Sequence, residues 1–150
     1  NTEENWIMPL PAYTPEQCKE FIGGYTVALL FGERVTINEK EEESADNYFS
    51  IFDLTEESWG TILDRCIDFL MKVPNLIPED KMEAAGSDFY FTSHGHGVGF
   101  WDGDWDYLPN DAAKKLDEAS GDGYEETYFY ATEDGFLDIG MPHTFTQIQK

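Results

Sequence analysis

The stretch from Asp88 to Asp106 constrains the fold of this chain more than any other part of the sequence. It reads D-F-Y-F-T-S-H-G-H-G-V-G-F-W-D-G-D-W-D and concentrates aromatic residues, glycines, histidines and aspartates. Two aromatic-rich runs, at 88–92 and 97–102, flank the S-H-G-H sequence of residues 93–96. Aromatic runs on either side of a glycine-supported turn are typical of a β-hairpin. The sequence therefore predicts a hairpin over residues 88–102.

A second hairpin is predicted nearer the C-terminus. The aromatic run 124–132 and the shorter apolar run 136–139 flank the turn sequence Glu133-Asp134-Gly135. Asp-Gly between two such runs is among the strongest short-range signals for a hairpin turn.

The first helix is predicted to begin at Thr14. Thr14 is a suitable N-cap residue, Pro15 fits the first helical position, and apolar residues recur at helical spacing as far as Leu30. The Gly23-Gly24 pair costs about 1 kcal/mol per glycine relative to alanine. It therefore either weakens the helix prediction, with a strand over 25–31 as the alternative, or marks a close packing contact.

The second helix has the clearest signals in the chain. Thr55 caps it, acidic residues occupy its positive first turn, and Pro74 ends it. A short third helix is predicted from Pro78 to Ala85, with Gly86 ending it, and a fourth from Leu108 to Ala119. The stripe predicted to be buried on the second helix consists of Trp59, Ile62, Leu63, Cys66, Phe69, Leu70 and Val73.

This order of elements predicts an α+β fold in which a small antiparallel sheet of two hairpins packs under about four helices. A chain of 150 residues is near the usual size of one domain. We expect a single domain over residues 14–140, an extended N-terminal arm over 1–13 held by Trp6 and Tyr13, and an irregular tail over 141–150.

The charge balance excludes several classes of partner. The chain has 31 acidic and 9 basic residues and a formal net charge of -22. The net charge of a small domain usually has a magnitude of about 2 to 8. Binding to nucleic acid or to an anionic membrane requires Lys and Arg against phosphate, so neither is expected here. The partners predicted for this chain are basic protein surfaces or cations.

Cysteine usage and hydropathy bear on the location of the protein. Cys18 and Cys66 lie in two different predicted helices and form no metal-ligand spacing, which favours buried reduced thiols and a reducing cytoplasm. No apolar run reaches the roughly 18 residues that a membrane span needs. We expect a soluble protein.

Histidines and aspartates near the first predicted turn are an alternative, metal-binding feature. Imidazoles and carboxylates can hold a divalent metal that activates water. The D-x-D-x-D spacing from residue 102 also resembles the start of a calcium loop, but Tyr107 occupies the position of the required glycine. No cofactor or catalytic residue is predicted. The candidate metal ligands are His94, His96, Asp102 and Asp104.

Residues 84–103 read A-A-G-S-D-F-Y-F-T-S-H-G-H-G-V-G-F-W-D-G. They resemble a family of small bacteriophage and prophage proteins of unknown function. That family has the core A-G-x-D-F-[WY]-L-T-R-N-G-H-G-A-G-F-W-D. The likeness extends to residues 48–54, to Asp64-Arg65-Cys66 and to the Asp134-Gly135 turn. It implies a phage origin and an accessory role outside the virion, in the cytoplasm of the infected host. The family's Arg-Asn is replaced here by Ser93-His94, and an acidic loop follows F-W-D where relatives often have a basic residue.

Function is predicted from the acidic surface and this resemblance together. Duplex DNA carries about one negative charge per 1.7 Å of axis. The favoured hypothesis is an acidic, DNA-mimic-like inhibitor of a host DNA-binding or defence protein, such as a restriction or CRISPR component. The alternatives are a small metal-binding or metal-dependent enzyme and a protein whose acidity reflects a saline environment. The predicted interaction residues are Glu39, Glu41, Glu42, Glu43, Asp46, Glu57, Asp64, Asp68, Asp102, Asp104 and Asp106.

Overall fold

The computed structural model describes residues 12–36, 41–94, 99–121 and 128–140. These residues form an α+β fold, as predicted, with two small antiparallel sheets beside a group of helices. Most of the predicted arm (1–11, with Trp6) and the tail (141–150) lie outside the described residues. The elements are α1 (Pro15–Gly32), β1 (Arg34–Val35), β2 (Glu43–Ser44), α2 (Glu56–Lys72), α3 (Met82–Ser93), α4 (Ala112–Ser120), β3 (Tyr128–Ala131) and β4 (Leu137–Gly140). Short 3₁₀ helices cover Ala45–Asn47, Ile51–Asp53, Glu79–Lys81 and Phe100–Asp102.

The C-terminal hairpin confirms the second hairpin prediction over residues 128–140, whereas residues 124–127 of its predicted first strand lie outside the described residues. Strands β3 and β4 pair antiparallel, with Ala131 opposite Leu137. Gly135 has a φ of 91°, a left-handed conformation that glycine adopts at low cost, so the Asp-Gly turn forms where predicted. The Leu137 carbonyl accepts a 3.2 Å hydrogen bond from the Thr55 amide, which joins this hairpin to the start of α2.

The first helix begins as its cap sequence predicts. The Gln17 amide donates to the Thr14 hydroxyl, and the Thr14 amide donates to the Gln17 side chain, which closes a capping box. Helix α1 continues to Gly32, so the alternative strand over residues 25–31 is wrong.

Helices α1 and α3 approach each other at two glycines. A Cβ atom on Gly24 would lie 1.9 Å from the carbonyl oxygen of Glu83, and one on Gly86 would lie 1.9 Å from the carbonyl oxygen of Phe21. Any side chain at either position would therefore force the two backbones apart. The close-packing interpretation of the glycine pair holds for Gly24, whereas Gly23 has no such neighbour within 4 Å.

The hairpin predicted over residues 88–102 is wrong. Residues 88–92 lie within α3, which runs straight through Gly86, and Phe100–Asp102 form a 3₁₀ helix. Residues 95–98 lie outside the described part of the chain. The aromatic run has β propensity, but burial against α1 and α2 outweighs that weak preference. The predicted short helix at 78–85 is instead a 3₁₀ turn, Glu79–Lys81, that leads into α3.

Helix α2 begins after Thr55 and ends at Lys72, as predicted. Its inner stripe is buried except for Leu63, which is 43% exposed, and the half-buried Trp59.

The fourth helix begins later than predicted because Asn110 and Asp111 have φ values of 59° and 57°, outside the helical region.

Aromatic rings contributed by three helices and the 3₁₀ turn form the centre of the core. The rings of Phe69 and Phe89 stack with centroids 4.2 Å apart, and those of Phe69 and Phe100 with centroids 5.9 Å apart. Tyr13 is buried and donates its hydroxyl to the Val73 carbonyl, which ties the segment before α1 to the residue that follows α2. The two cysteines are buried and free, as predicted.

Candidate functional site

The predicted interaction residues are carried by three separate parts of the fold. They lie around β2, along α2 and in the turn that follows α3. All of those that the structure describes are exposed, except Glu43, which is half-buried; Glu39 lies outside the described residues. The structure therefore places these carboxylates on the surface but does not gather them at one point.

Helix α2 carries the most regular group of carboxylates. Glu57, Asp64 and Asp68 are exposed on one face of the helix, as their spacing predicts. Lys72 lies 3.2 Å from Asp68, one turn further along. An exposed pair of this kind contributes about 0 to 1 kcal/mol, so the lysine only partly offsets the charge of this face.

The group around β2 is fixed by hydrogen bonds. The Asn47 side chain donates to Glu43 at 3.2 Å, and the Tyr48 hydroxyl donates to the other oxygen of the same carboxylate. The Ser44 hydroxyl donates to Asp46 at 2.8 Å. Glu42 lies 3.9 Å from Arg34 across the two-stranded sheet. These bonds hold the carboxylates on a defined backbone.

The third group includes a carboxylate that sequence reasoning missed. Asp102 and Asp104 are exposed, and the half-buried Asp88 lies close enough for their charges to affect it. Burial raises the pKa of Asp88, and the neighbouring charges add to this effect. The indole N–H of Trp105 donates to Asp88 at 2.5 Å and opposes the shift. No local spacing marks this contact, because Trp105 lies 17 residues from Asp88 along the chain.

No metal site assembles among the described residues. They contain no group of three or more His, Cys, Asp or Glu side chains that could hold an ion. His94 stacks on Tyr90 with ring centroids 4.3 Å apart, and its Nδ1 lies 3.0 Å from the Tyr90 carbonyl oxygen. Asp102 accepts hydrogen bonds from the amides of Gly99 and Asp104, so it stabilises its own turn. His96 lies outside the described residues.

A buried polar cluster, which the sequence patterns did not reveal, links three helices. The Tyr90 hydroxyl on α3 donates to the carboxylate of Glu33, just past α1. Arg65 on α2 is also buried and hydrogen-bonds the Tyr25 hydroxyl. Burial raises the pKa of both tyrosines. The Tyr90 hydroxyl donates to Glu33, whereas the Tyr25 hydroxyl accepts from Arg65. The cluster fixes the relative positions of the helices, because breaking one member would leave a buried charge uncompensated.

Comparisons with protein-family models, with curated proteins and with solved structures find no match to this chain. Among the described residues, none of the helices has both the length and the apolar character needed to cross a membrane.

Proposed function

We propose that this chain is a phage-encoded accessory protein that inhibits a DNA-binding or defence protein of the host by presenting carboxylates in place of DNA phosphates. It acts in the cytoplasm of the infected bacterium, on a target such as a restriction or CRISPR protein. The observation that carries the proposal is that the exposed carboxylates stand on helices and hydrogen-bonded turns instead of on an unstructured acidic run.

The spacing on α2 defines how much of a DNA-like surface that helix can supply. A helix rises about 1.5 Å per residue, so Glu57 and Asp64 are about 10 Å apart along the axis, and Asp64 and Asp68 about 6 Å. Duplex DNA has one charge per about 1.7 Å of axis, so this line alone reaches only a fraction of its charge density. The proposal therefore includes the carboxylates around β2 in the same binding event.

Fixed positions matter because a mimic competes with a ligand whose charges are already in place. Carboxylates that are held before binding lose less conformational freedom on association than those of a disordered tail. Glu56 and Glu57 lie in the first turn of α2, where the helix dipole favours negative charge. The net charge of -22 also increases the rate of association with a basic surface at low salt.

The proposal is tested by capture of the target from host lysate on the immobilised chain, followed by elution in a salt gradient. The variant Glu57→Gln/Asp64→Asn/Asp68→Asn removes the line on α2. The control Glu79→Gln/Asp80→Asn/Glu133→Gln removes the same charge from exposed positions elsewhere.

We expect the native chain and the control to retain one DNA-binding protein, which elutes earlier from the α2 variant. Equal elution from both variants would show that net charge alone is responsible. If the native chain retains no DNA-binding protein, the proposal is wrong.

A further inference from the structure

Five exposed apolar side chains lie on α1 and on the segment that follows β2. Phe52 is 85% exposed, Val27 65% and Phe31 62%. Tyr48 and Ile51 are also exposed. We call these five residues the apolar patch. Exposed apolar side chains are common singly, but a group with a polar rim marks a binding surface.

The patch is assembled by contacts between α1 and the segment that follows β2. Val27 and Phe31 are four residues apart on α1 and so lie on the same face. The 3₁₀ helices Ala45–Asn47 and Ile51–Asp53 both pack against α1. The Ser44 hydroxyl lies 2.6 Å from the Phe31 carbonyl oxygen, which fixes the start of this segment at the C-terminal end of the helix.

Carboxylates border the patch directly. The same Ser44 hydroxyl that contacts the Phe31 carbonyl also lies 2.8 Å from Asp46. The hydroxyl of Tyr48, itself a patch residue, donates to Glu43. Asp53 follows Phe52 in the chain and accepts a 2.8 Å hydrogen bond from the Ser50 amide. The patch is thus an apolar centre with a negative rim.

We propose that the apolar patch docks a basic amphipathic segment of the partner protein, with apolar side chains toward the patch and Lys or Arg toward Glu43, Asp46 and Asp53. This inference rests on the proposed function for the class of partner and adds the surface that anchors it. The apolar centre requires apolar groups opposite it, and the negative rim requires cations around them.

Charge argues against the two other occupants. A second copy of the chain would also have a net charge of -22, and its acidic rim would lie against the first one, which is strongly unfavourable. The chain's own residues 1–11 contain Glu3 and Glu4 and no Lys or Arg. Neither complements the rim.

The test uses two synthetic peptides of identical composition. One places leucines on one helical face and Lys and Arg on the other, and the second has the same residues in scrambled order. Affinity for both is measured for the native chain and for Phe31→Ser/Phe52→Ser. The control is Met71→Ser/Tyr107→Ser, which alters two residues of similar exposure, 55% and 62%, outside the patch.

We expect the native chain and the control to bind the amphipathic peptide about tenfold more tightly than the scrambled one, as apolar anchor residues typically contribute. Phe31→Ser/Phe52→Ser should lose this preference while keeping its affinity for the scrambled peptide and its salt dependence. Both altered residues are exposed, so an unchanged melting temperature verifies the fold.

Four outcomes would overturn the proposal. A native chain without a preference, or a variant that keeps it, shows that the patch does not dock the segment. A dimer in sedimentation that Phe31→Ser/Phe52→Ser abolishes assigns the patch to a second copy. A preference that appears only after residues 1–11 are deleted assigns it to the chain's own N-terminal segment.

A native chain that shows the preference but retains no DNA-binding protein would instead disprove the proposed function and leave the docking surface standing.

Discussion

Asp88 shows how one half-buried carboxylate can make the stability of this protein depend on pH. Its pKa is raised, mainly because burial disfavours the charged form, and the charges of Asp102 and Asp104 act in the same direction. A raised pKa in the folded state means that folding favours the protonated acid. The charge therefore costs stability at neutral pH, and this cost disappears as the pH falls through the raised pKa toward the ordinary value of 3.8.

We expect Asp88→Asn to be more stable than the native chain at pH 7 by about 0.5 kcal/mol. The amide oxygen can still accept the hydrogen bond from Trp105 while the charge is gone. The difference should narrow as the pH approaches 4, and urea unfolding across this range measures it. Asp80→Asn, on an exposed turn, is the control. An Asp88→Asn protein less stable than native at pH 7 would show that the charged hydrogen bond to Trp105 outweighs the desolvation.

The neighbouring glycines of α1 are predicted to respond to alanine in opposite ways. Gly23 is exposed, and a Cβ atom there would have nothing within 4 Å, so Gly23→Ala should stabilise the protein by about 0.5 to 1 kcal/mol through helix propensity. At Gly24 the same methyl group would meet the Glu83 backbone at 1.9 Å. We expect Gly24→Ala to cost about 3 kcal/mol, because backbone atoms cannot rotate aside.

Denaturant midpoints of the two single variants decide this prediction. Since the residues are adjacent and chemically identical, each serves as the control for the other. Similar effects from both substitutions would contradict the close approach of α1 and α3.

At the scale of elements, α3 is where sequence and structure differ most. Its residues 88–92 resemble a strand, and Gly86 resembles a helix end. In the structure the missing side chain of Gly86 lets α3 approach α1, and the aromatic rings fill the core from a helix. Local sequence patterns indicate helix or strand propensity and helix caps, but they do not indicate which element a segment packs against. The Thr14 and Thr55 caps and the Asp134-Gly135 turn were predictable because each signal lies within a few residues of its effect.

The aromatic run of α3 offers a direct test of helix against strand. In the helix Phe89 and Tyr90 are both fully buried, while Phe91 is only partly buried. In a strand, Phe89 and Phe91 would share a face and Tyr90 would point away. We therefore expect Phe89→Ala and Tyr90→Ala each to cost about 3 to 5 kcal/mol, and Phe91→Ala clearly less.

Thermal unfolding of these three variants measures the pattern. Trp101→Ala, at a mostly exposed aromatic residue, controls for the loss of an aromatic ring as such. A large loss of stability in Phe89→Ala and Phe91→Ala, with little loss in Tyr90→Ala, would instead support the hairpin.

At the scale of the whole molecule, the surface carboxylates were predictable as a class but not in arrangement. Charged residues in polar runs are usually exposed, so residues such as Asp64 and Asp104 could be assigned to the surface. Asp88, the cluster of Glu33 and Tyr90, and the apolar patch depend on contacts between distant segments. No local spacing reveals such contacts.

The net charge predicts a specific response to salt. Screening of surface repulsion is largely complete by about 0.3 M salt, since the Debye length is about 10 Å at 0.1 M and about 3 Å at 1 M. We expect the melting temperature to rise by about 3 °C up to this point, as a stabilisation of about 1 kcal/mol would give, and then to level off. The variant Glu57→Gln/Asp64→Asn/Asp68→Asn should show a smaller rise. A steep, continuing rise into the molar range would instead favour adaptation to a saline environment.

In the proposed complex, the carboxylates of this chain occupy the surface on which the target binds DNA. The most direct measurement is a competition titration, in which duplex DNA is added to the complex of this chain with its captured target. We expect the apparent dissociation constant to rise in proportion to DNA concentration, and Glu57→Gln/Asp64→Asn/Asp68→Asn to be displaced at lower DNA concentration than native. A stable ternary complex of chain, target and DNA would contradict this expectation.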